Sequence, residues 1–124
     1  MEKKDLGKTS MGLEANVAAA VSYVLGWITG LVFFLSEKDN KYVRFHALQS
    51  IIVFGAVSVL AVVISVLFSI FMALRLGFLY PIFSLLSGLV WLIALILWII
   101  LMIKAYQGEH FKLPIAGDIA EKNS

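Results

Sequence analysis

The sequence predicts an all-α integral membrane protein with three transmembrane helices packed up-down-up. Three stretches contain no Asp, Glu, Lys or Arg, namely Ala15–Leu35, Phe45–Leu74 and Leu76–Ile103. Each is long enough to cross a bilayer, which needs about 20 apolar residues. Hydrophobic residues make up 61% of the chain and the mean hydropathy is +0.96. A water-soluble domain of this size could not cover so much continuous apolar surface.

The first apolar stretch predicts one helix over residues 15–35, after a polar N-terminal tail at 1–14. At 1.5 Å per residue this helix is about 31 Å long, close to the hydrocarbon thickness of a bilayer. Lys3 and Lys4 precede it, as in a signal peptide. The stretch is longer than the apolar region of a signal peptide, and its alanine cluster lies at its start. We therefore expect it to stay in the mature protein.

The second and third stretches are longer than a crossing requires. The second opens with aromatic, basic and polar residues over 42–50, which favours an interfacial start and a span of about 48–73. Gly77 and Pro81 argue against a straight helix from Leu76. We therefore predict a short interfacial segment over 77–83 and a third span of about 82–103. The transmembrane domain then covers 15–107 and a C-terminal tail covers 108–124.

Small residues recur every four positions along the predicted helices. This small-xxx-small pattern lets helix backbones approach closely in lipid. Packing among the three helices of one chain is favoured over a homodimer face, because a three-helix unit must first use such faces on itself. The predicted packing residues are Ala18, Ser22, Gly26, Gly30, Ala61, Ser65, Ser69, Ser84 and Gly88.

The distribution of Lys and Arg predicts the orientation. With three spans, the loop at 36–44 and the C-terminal tail share one side, which holds six cations against four on the other. The positive-inside rule then places the loop and tail in the cytoplasm and the N-terminus outside. We expect a multi-pass protein of the cell membrane.

The chain offers little catalytic chemistry. The apolar stretches contain no Asp, Glu, Lys or Arg, whose charges usually mark ion and proton paths, and no zinc-protease, nucleophile-elbow or phosphate-loop motif is present. Two histidines without ligand spacing, and no cysteine, give a weak metal signal. A net charge of +2 without a basic cluster argues against nucleic acid. We predict no enzymatic activity, no cofactor and no metal.

One polar group of residues stands out at the start of the second helix, opposite a polar segment after the third. His46, Gln49 and Ser50 fall on one helical face. They could satisfy the helix terminus, or they could form a docking site that meets the tail; we rank the structural explanation first. Gly108 should cap the third helix, and an Arg44–Glu109 ion pair is one option. The candidate interaction face comprises Asn40, Arg44, His46, Gln49, Ser50, Gly108, Glu109 and Pro114.

Three segments, Glu37–Ser50, Lys104–Glu109 and Leu113–Ile115, resemble a family of small bacterial and archaeal multispanning membrane proteins of unknown function. That family is distantly similar to the Tic-type plastid inner-envelope protein-import component. The resemblance extends from Val21 to Glu121, and its most specific block is Arg-Phe-His-Ala-x-Gln-Ser. The import component is described with four membrane helices, against the three predicted here.

These observations lead to one preferred function and two rivals. We predict a non-enzymatic accessory or scaffold protein that binds the lipid bilayer and other membrane proteins or itself, with protein translocation or insertion as a candidate process. The alternative is a small homo-oligomeric channel or carrier. An interfacial enzyme that uses His46 and Glu109 is the weakest hypothesis.

Overall fold

The structure is a computed structural model that describes residues 7–10 and 12–124; the rest of the predicted N-terminal tail lies outside these residues. A 3₁₀ turn at Gly77–Leu79 precedes the fourth helix. The helices of the described part are α1 (Ala15–Val21), α2 (Trp27–Ser36), α3 (Lys41–Ala73), α4 (Tyr80–Tyr106) and α5 (Ala116–Asn123). The all-α prediction is confirmed. Helix α3 and the segment Gly77–Tyr106 are long and apolar enough to cross a membrane, and α2 is a shorter apolar helix.

The prediction of one continuous helix over 15–35 is wrong. The chain leaves helical geometry between Val21 and Trp27, where Gly26 adopts a φ of 64°. Glycine enters this left-handed region without the steric cost of a Cβ. Helices α1 and α2 therefore form a helix–turn–helix, which we call the hairpin (residues 15–36).

Both ends of the hairpin lie at the same end of the molecule. At its start, Asn16 Nδ2 donates to the Tyr106 carbonyl at the end of α4, at 3.0 Å. Just after its end, the Glu37 carboxylate accepts from the Ser10 N–H at 2.7 Å. The hairpin enters the bundle and returns, so it does not cross from one end of α3 to the other. We call this end, with residues 7–10, 12–14, 37–50 and 104–124, the polar end.

Side chains satisfy the irregular backbone at the hairpin tip. Trp98 Nε1 donates to the Tyr23 carbonyl at 2.7 Å, and Ser50 Oγ donates to the Gly26 carbonyl at 2.8 Å. The Leu25 N–H donates to Thr29 Oγ1 at 3.0 Å. Ser50 lies only about 14 Å along α3 from Lys41, at 1.5 Å per residue. Irregular backbone at such depth is tolerated where protein groups satisfy it.

Helices α3 and α4 run antiparallel for their whole length. Tyr42 Oη donates to the Ala105 carbonyl at the polar end, at 2.6 Å. At the far end, the ring of Phe68 lies 5.7 Å from Tyr80 and 5.8 Å from Phe83, centroid to centroid. Beyond the hairpin tip, no other α-helix of the described residues packs on α3 and α4, and many of their apolar side chains are exposed. Such faces suit contact with lipid.

The structure also differs from the prediction at the start of the last long helix and in the tail. Helix α4 begins at Tyr80, within the predicted interfacial segment, because Pro81 lies in its first turn. A proline is tolerated there since its missing N–H has no intrahelical partner to lose. Helix α5, in the predicted tail, packs against α3 and was not predicted.

The predicted packing residues divide into two sets. Ala18, Ser22 and Gly30 are buried, and a Cβ on Gly30 would lie 2.8 Å from the Ala47 carbonyl oxygen on α3. Gly26 serves the turn instead. The residues of the second set are largely exposed, and a Cβ added to Gly88 would meet no neighbouring group within 4 Å, so their packing within one chain stays a prediction. The second set is Ala61, Ser65, Ser69, Ser84 and Gly88.

Candidate functional site

The predicted polar residues of α3 gather at the polar end, and most are buried. Asn40 caps the helix, since its Oδ1 accepts from the Val43 N–H at 3.1 Å. Such a cap satisfies one of the free N–H groups of the first turn. His46, Gln49 and Ser50 share the face turned towards the hairpin and the tail, with no exposed surface. The predicted shared face is therefore found, and it is internal.

The contacts of His46 define its tautomer. Its Nε2 lies 3.0 Å from the Glu109 carbonyl oxygen, which can only accept, so we assign the proton to Nε2. Nδ1 then accepts from the Tyr23 hydroxyl at 2.7 Å. The imidazole thus links the hairpin to the segment after α4 in its neutral form.

Gln49 continues this chain of hydrogen bonds. Its Nε2 donates to the Tyr23 hydroxyl at 2.9 Å and to the Phe111 carbonyl at 3.0 Å. Its Oε1 accepts from the Leu113 N–H at 2.9 Å. The two tail contacts fix the orientation of the amide, because a flipped amide would set donor against donor and acceptor against acceptor. We call His46, Gln49 and Tyr23 the polar triad; it joins the hairpin, α3 and the tail.

Sequence reasoning missed two tyrosines of this site. Tyr23 belongs to the polar triad, and Tyr42 Oη lies within hydrogen-bond distance of the carbonyls of Ala105 (2.6 Å) and Glu109 (3.1 Å). Both tyrosines are buried. Their position in or beside apolar runs was the available signal, since a buried tyrosine hydroxyl usually finds a partner.

Arg44 is held by backbone oxygens. Its Nη1 donates to the carbonyls of Phe34 at 2.9 Å and Glu37 at 2.8 Å, and its Nε donates to a Ser124 main-chain oxygen at 3.2 Å. The guanidinium carbon lies 4.1 Å from the centre of the Phe34 ring. The Arg44–Glu109 ion pair that the sequence offered as an option does not form, because the Glu109 carboxylate pairs with Lys104 at 3.2 Å.

Glu37 is a further buried residue that sequence reasoning did not select. Its carboxylate accepts from the N–H groups of Ser10, Asp39 and Asn40 at 2.7, 3.0 and 3.1 Å, and from the Ser10 hydroxyl at 2.9 Å. Burial raises the pKa of this carboxyl, but the hydrogen bonds outweigh burial and leave the pKa below its ordinary value of 4.5. The charged side chain thus ties the N-terminal segment to the loop before α3.

The tail begins with the predicted glycine cap. Gly108 has a φ of 81°, its N–H donates to Ala105, and the Glu109 N–H donates to Lys104. These two bonds form a Schellman motif, in which a left-handed residue ends the helix. Pro114 is exposed and lies between Leu113, bound by Gln49, and α5. The predicted return of the tail beneath the bundle is confirmed.

Comparison with known proteins identifies the family. The family model of magnetosome magnetite crystal formation proteins, MamF/MmsF, matches residues 8–120. The chain belongs to this family. It is 48% identical over 119 residues to the UPF0132 membrane protein MJ1443 of Methanocaldococcus jannaschii, covering 96% of each chain. It is also 44% identical over 110 residues to a UPF0132 membrane protein of Archaeoglobus fulgidus, covering 89% of this chain and 95% of that one. No solved structure matches significantly.

The comparisons confirm a small membrane protein family with archaeal members, while the likeness to the plastid import component stays a prediction. In this MamF/MmsF family member, every buried side-chain nitrogen and oxygen of the described residues has a hydrogen-bond partner. The same residues include no group of three or more His, Asp or Glu side chains that could hold a metal ion. The polar triad brings the hairpin, α3 and the tail together through neutral and backbone groups. Such an arrangement is suited to holding a conformation.

Proposed function

We propose that this MamF/MmsF family member is a non-enzymatic membrane scaffold with two spans, α3 and α4, and a re-entrant hairpin. The observation that carries this proposal is the internal use of the polar side chains at the polar end: His46, Gln49 and Tyr23 bind each other and the backbone. Side chains that bind each other and the backbone stabilise the fold. The surfaces left for partners are the apolar outer faces of α3 and α4.

The charge distribution supports a cytoplasmic polar end. Arg75, between α3 and α4, is the one cation of the described residues at the far end. A seven-to-one excess is far larger than the six-to-four count for three spans, and loops rich in Lys and Arg stay in the cytoplasm. The cations at the polar end are Lys8, Lys38, Lys41, Arg44, Lys104, Lys112 and Lys122.

The exposed faces beyond the hairpin support a scaffolding role. Val62 on α3 and Leu85 on α4 are 61% and 67% exposed. Ser65 and Gly88 are small and exposed residues on these apolar faces, and a Cβ added to Gly88 would meet no neighbouring group within 4 Å. In lipid, small residues allow another helix to approach, which favours association with other membrane proteins. Protein translocation or insertion is one process in which such a scaffold could serve.

The family is described by magnetite crystal formation in magnetosomes, whereas the relatives are named only as membrane proteins. From that description we carry over to this chain only a role in organising the membrane. The packing of the polar end supports that role through the rigid platform it gives to two otherwise bare helices.

Cysteine labelling tests the topology, and the chain has no native cysteine to remove. Single variants Lys8→Cys, Lys38→Cys and Phe78→Cys would be treated with a membrane-impermeant maleimide in sealed vesicles of known orientation. We expect positions 8 and 38 to react from the cytoplasmic side and position 78 from the opposite side. Reaction of positions 8 and 38 from opposite sides would restore three spans and overturn the re-entrant hairpin.

Photo-crosslinking tests the scaffold. A photoreactive residue at Val62 or Leu85 should give adducts to other membrane proteins in native membranes. Leu35, which is 62% exposed on α2, is the matched control at the polar end. Adducts that contain only a second copy of the chain would favour the homo-oligomeric channel instead. Adducts to lipid alone at positions 62 and 85 would overturn the scaffold.

A further inference from the structure

A cavity opens at the polar end, where the end of α2 meets the start of α3. Its volume is about 480 Å³, within the range of small-molecule sites. Lys38 and Arg44 line one part of it, and Phe34 and Leu35 line another, with Ser124 completing the wall. The cavity therefore combines two cations with apolar surface.

Backbone contacts hold the Arg44 side chain in place before any ligand binds, and they leave some of its N–H groups available. A guanidinium has five N–H groups. Those of Nε and Nη1 bind backbone oxygens, and the ring of Phe34 lies against the guanidinium. Within residues 7–10 and 12–124, the two N–H groups of Nη2 have no protein acceptor. A planar donor pair of this kind fits a phosphate.

The last residue, Ser124, places a main-chain oxygen 3.2 Å from Arg44 Nε, whereas Lys38 has no anionic partner among the described residues. Over the described part of the chain, no Asp or Glu oxygen lies within 4.0 Å of the Lys38 or Arg44 nitrogens. The nearby Glu37 carboxylate already accepts four hydrogen bonds from other groups. The first turn of α3 contains no acidic residue, and its helix dipole adds further positive potential. An external anion would balance this charge.

The surface below the cavity selects the kind of anion. Leu35, Leu31 and Ile28 fall on one face of α2, at spacings of four and three residues, and are 62%, 41% and 50% exposed. An apolar stripe thus leads from the cations towards the hairpin tip. A free phosphate would use none of it, whereas a phospholipid would place its phosphate on the cations and an acyl chain along the stripe.

We propose that the cavity between Lys38, Arg44 and Phe34 binds the headgroup of an anionic phospholipid, with an acyl chain along the exposed face of α2. The site rests on the proposed membrane placement of the polar end. Basic pockets at the cytoplasmic ends of membrane helices bind anionic headgroups through the same chemistry.

The test uses the full chain in phosphatidylcholine bilayers containing a small fraction of phosphatidylglycerol. Lipid retained on the protein would be counted by native mass spectrometry. Lys38→Ala should lower phosphatidylglycerol retention about ten-fold, from the loss of one charge-assisted contact to the phosphate. Lys41→Ala is the matched control. Lys41 lies three residues further along the chain, is exposed and does not line the cavity. Lys38→Arg should restore retention.

Equal losses for Lys38→Ala and Lys41→Ala would show diffuse attraction and overturn the site. Displacement of the lipid by millimolar inorganic phosphate would assign the cavity to free phosphate and overturn the lipid proposal. The cysteine labelling described above, repeated in the same bilayers, separates the two proposals. A two-span pattern without preference for phosphatidylglycerol would contradict this site alone.

Discussion

The Tyr23 hydroxyl lies between His46 and Gln49, donating to His46 Nδ1 at 2.7 Å and accepting from Gln49 Nε2 at 2.9 Å. Through this one oxygen, the tip of the hairpin is bonded to α3. The other ends of the two α3 side chains bind the segment after α4. The polar triad therefore fixes three parts of the chain relative to one another.

The variant Tyr23→Phe tests the triad. It removes the hydroxyl and leaves a buried acceptor on His46 and one buried N–H of Gln49 without their partner. We expect a loss of about 2 to 6 kcal/mol in the free energy of unfolding, from two unsatisfied groups at roughly 1 to 3 kcal/mol each. The measurement is the unfolding midpoint in detergent micelles. Tyr106→Phe, at an exposed tyrosine on α4, is the control and should change the midpoint little.

Equal midpoints for Tyr23→Phe and the parent protein would show that the hydroxyl contributes nothing and that water or a rearranged amide replaces it. A matching loss in Tyr106→Phe would instead point to a general effect of the substitution. Either result would contradict the stabilising contribution assigned to the Tyr23 hydroxyl.

Gln49→Glu tests the attachment of the tail. The substitution replaces the donor to the Phe111 carbonyl with a carboxylate oxygen, so two acceptors would face each other in a buried site. We expect release of residues 111–124, seen as faster amide hydrogen exchange and earlier proteolysis there. The control is Gln107→Glu at the end of α4, where no side-chain bond would be lost. Unchanged exchange in the tail would show that Gln49 does not hold it.

The loop before α3 should be sensitive to acid through Glu37. Because the pKa of the folded carboxyl is below 4.5, its hydrogen bonds stabilise the fold fully above that value. This stability is lost as the pH falls through the lower, folded pKa. We expect the unfolding midpoint to drop as the pH falls below about 4.5, and Glu37→Gln to lack this component of the drop.

Asp39→Asn, at an exposed neighbour, is the control for Glu37→Gln and should retain the acid-dependent drop. Partial burial, against the ring of Phe45, lowers the pKa of His110 from 6.5, so protonation of His110 also reduces stability as the pH falls below about 6.5. That contribution is common to the parent and both variants and cancels in the comparison. An identical pH profile for Glu37→Gln and the parent would exclude Glu37 as the source.

Local features of the polar end could be predicted from the sequence, since they depend on near neighbours. The His46, Gln49 and Ser50 face follows from helical spacing, and the Gly108 cap follows from the preference of glycine for left-handed geometry. Their partners could not be predicted. Tyr23 comes into reach only because the chain reverses before Trp27.

The hairpin escaped prediction for a physical reason. Hydropathy indicates whether a segment lies in lipid or in water. Residues 15–35 are apolar whether the chain crosses the bilayer or turns back within it. The signals for a turn were Ser22, Gly26 and Thr29, whose hydroxyls and flexible backbone satisfy the tip. The same residues also fitted a small-xxx-small packing face, so their spacing alone could not separate the two structures.

The packing of the hairpin on α3 depends on Gly30. A Cβ at this position would lie 2.8 Å from the Ala47 carbonyl oxygen and 3.0 Å from Ser50 Cβ, so the two helices would have to separate. Gly30→Ala should therefore lower the free energy of unfolding by about 1 to 3 kcal/mol, the range for overpacking a close contact. Gly88→Ala is the matched control on α4, where the added methyl group meets open space. Alanine favours a helix over glycine, so this variant should be at least as stable as the parent. The comparison is made by unfolding both variants in the same detergent. A Gly30→Ala protein as stable as Gly88→Ala would mean that α2 does not approach α3 closely, and the re-entrant hairpin would then lose its main packing contact.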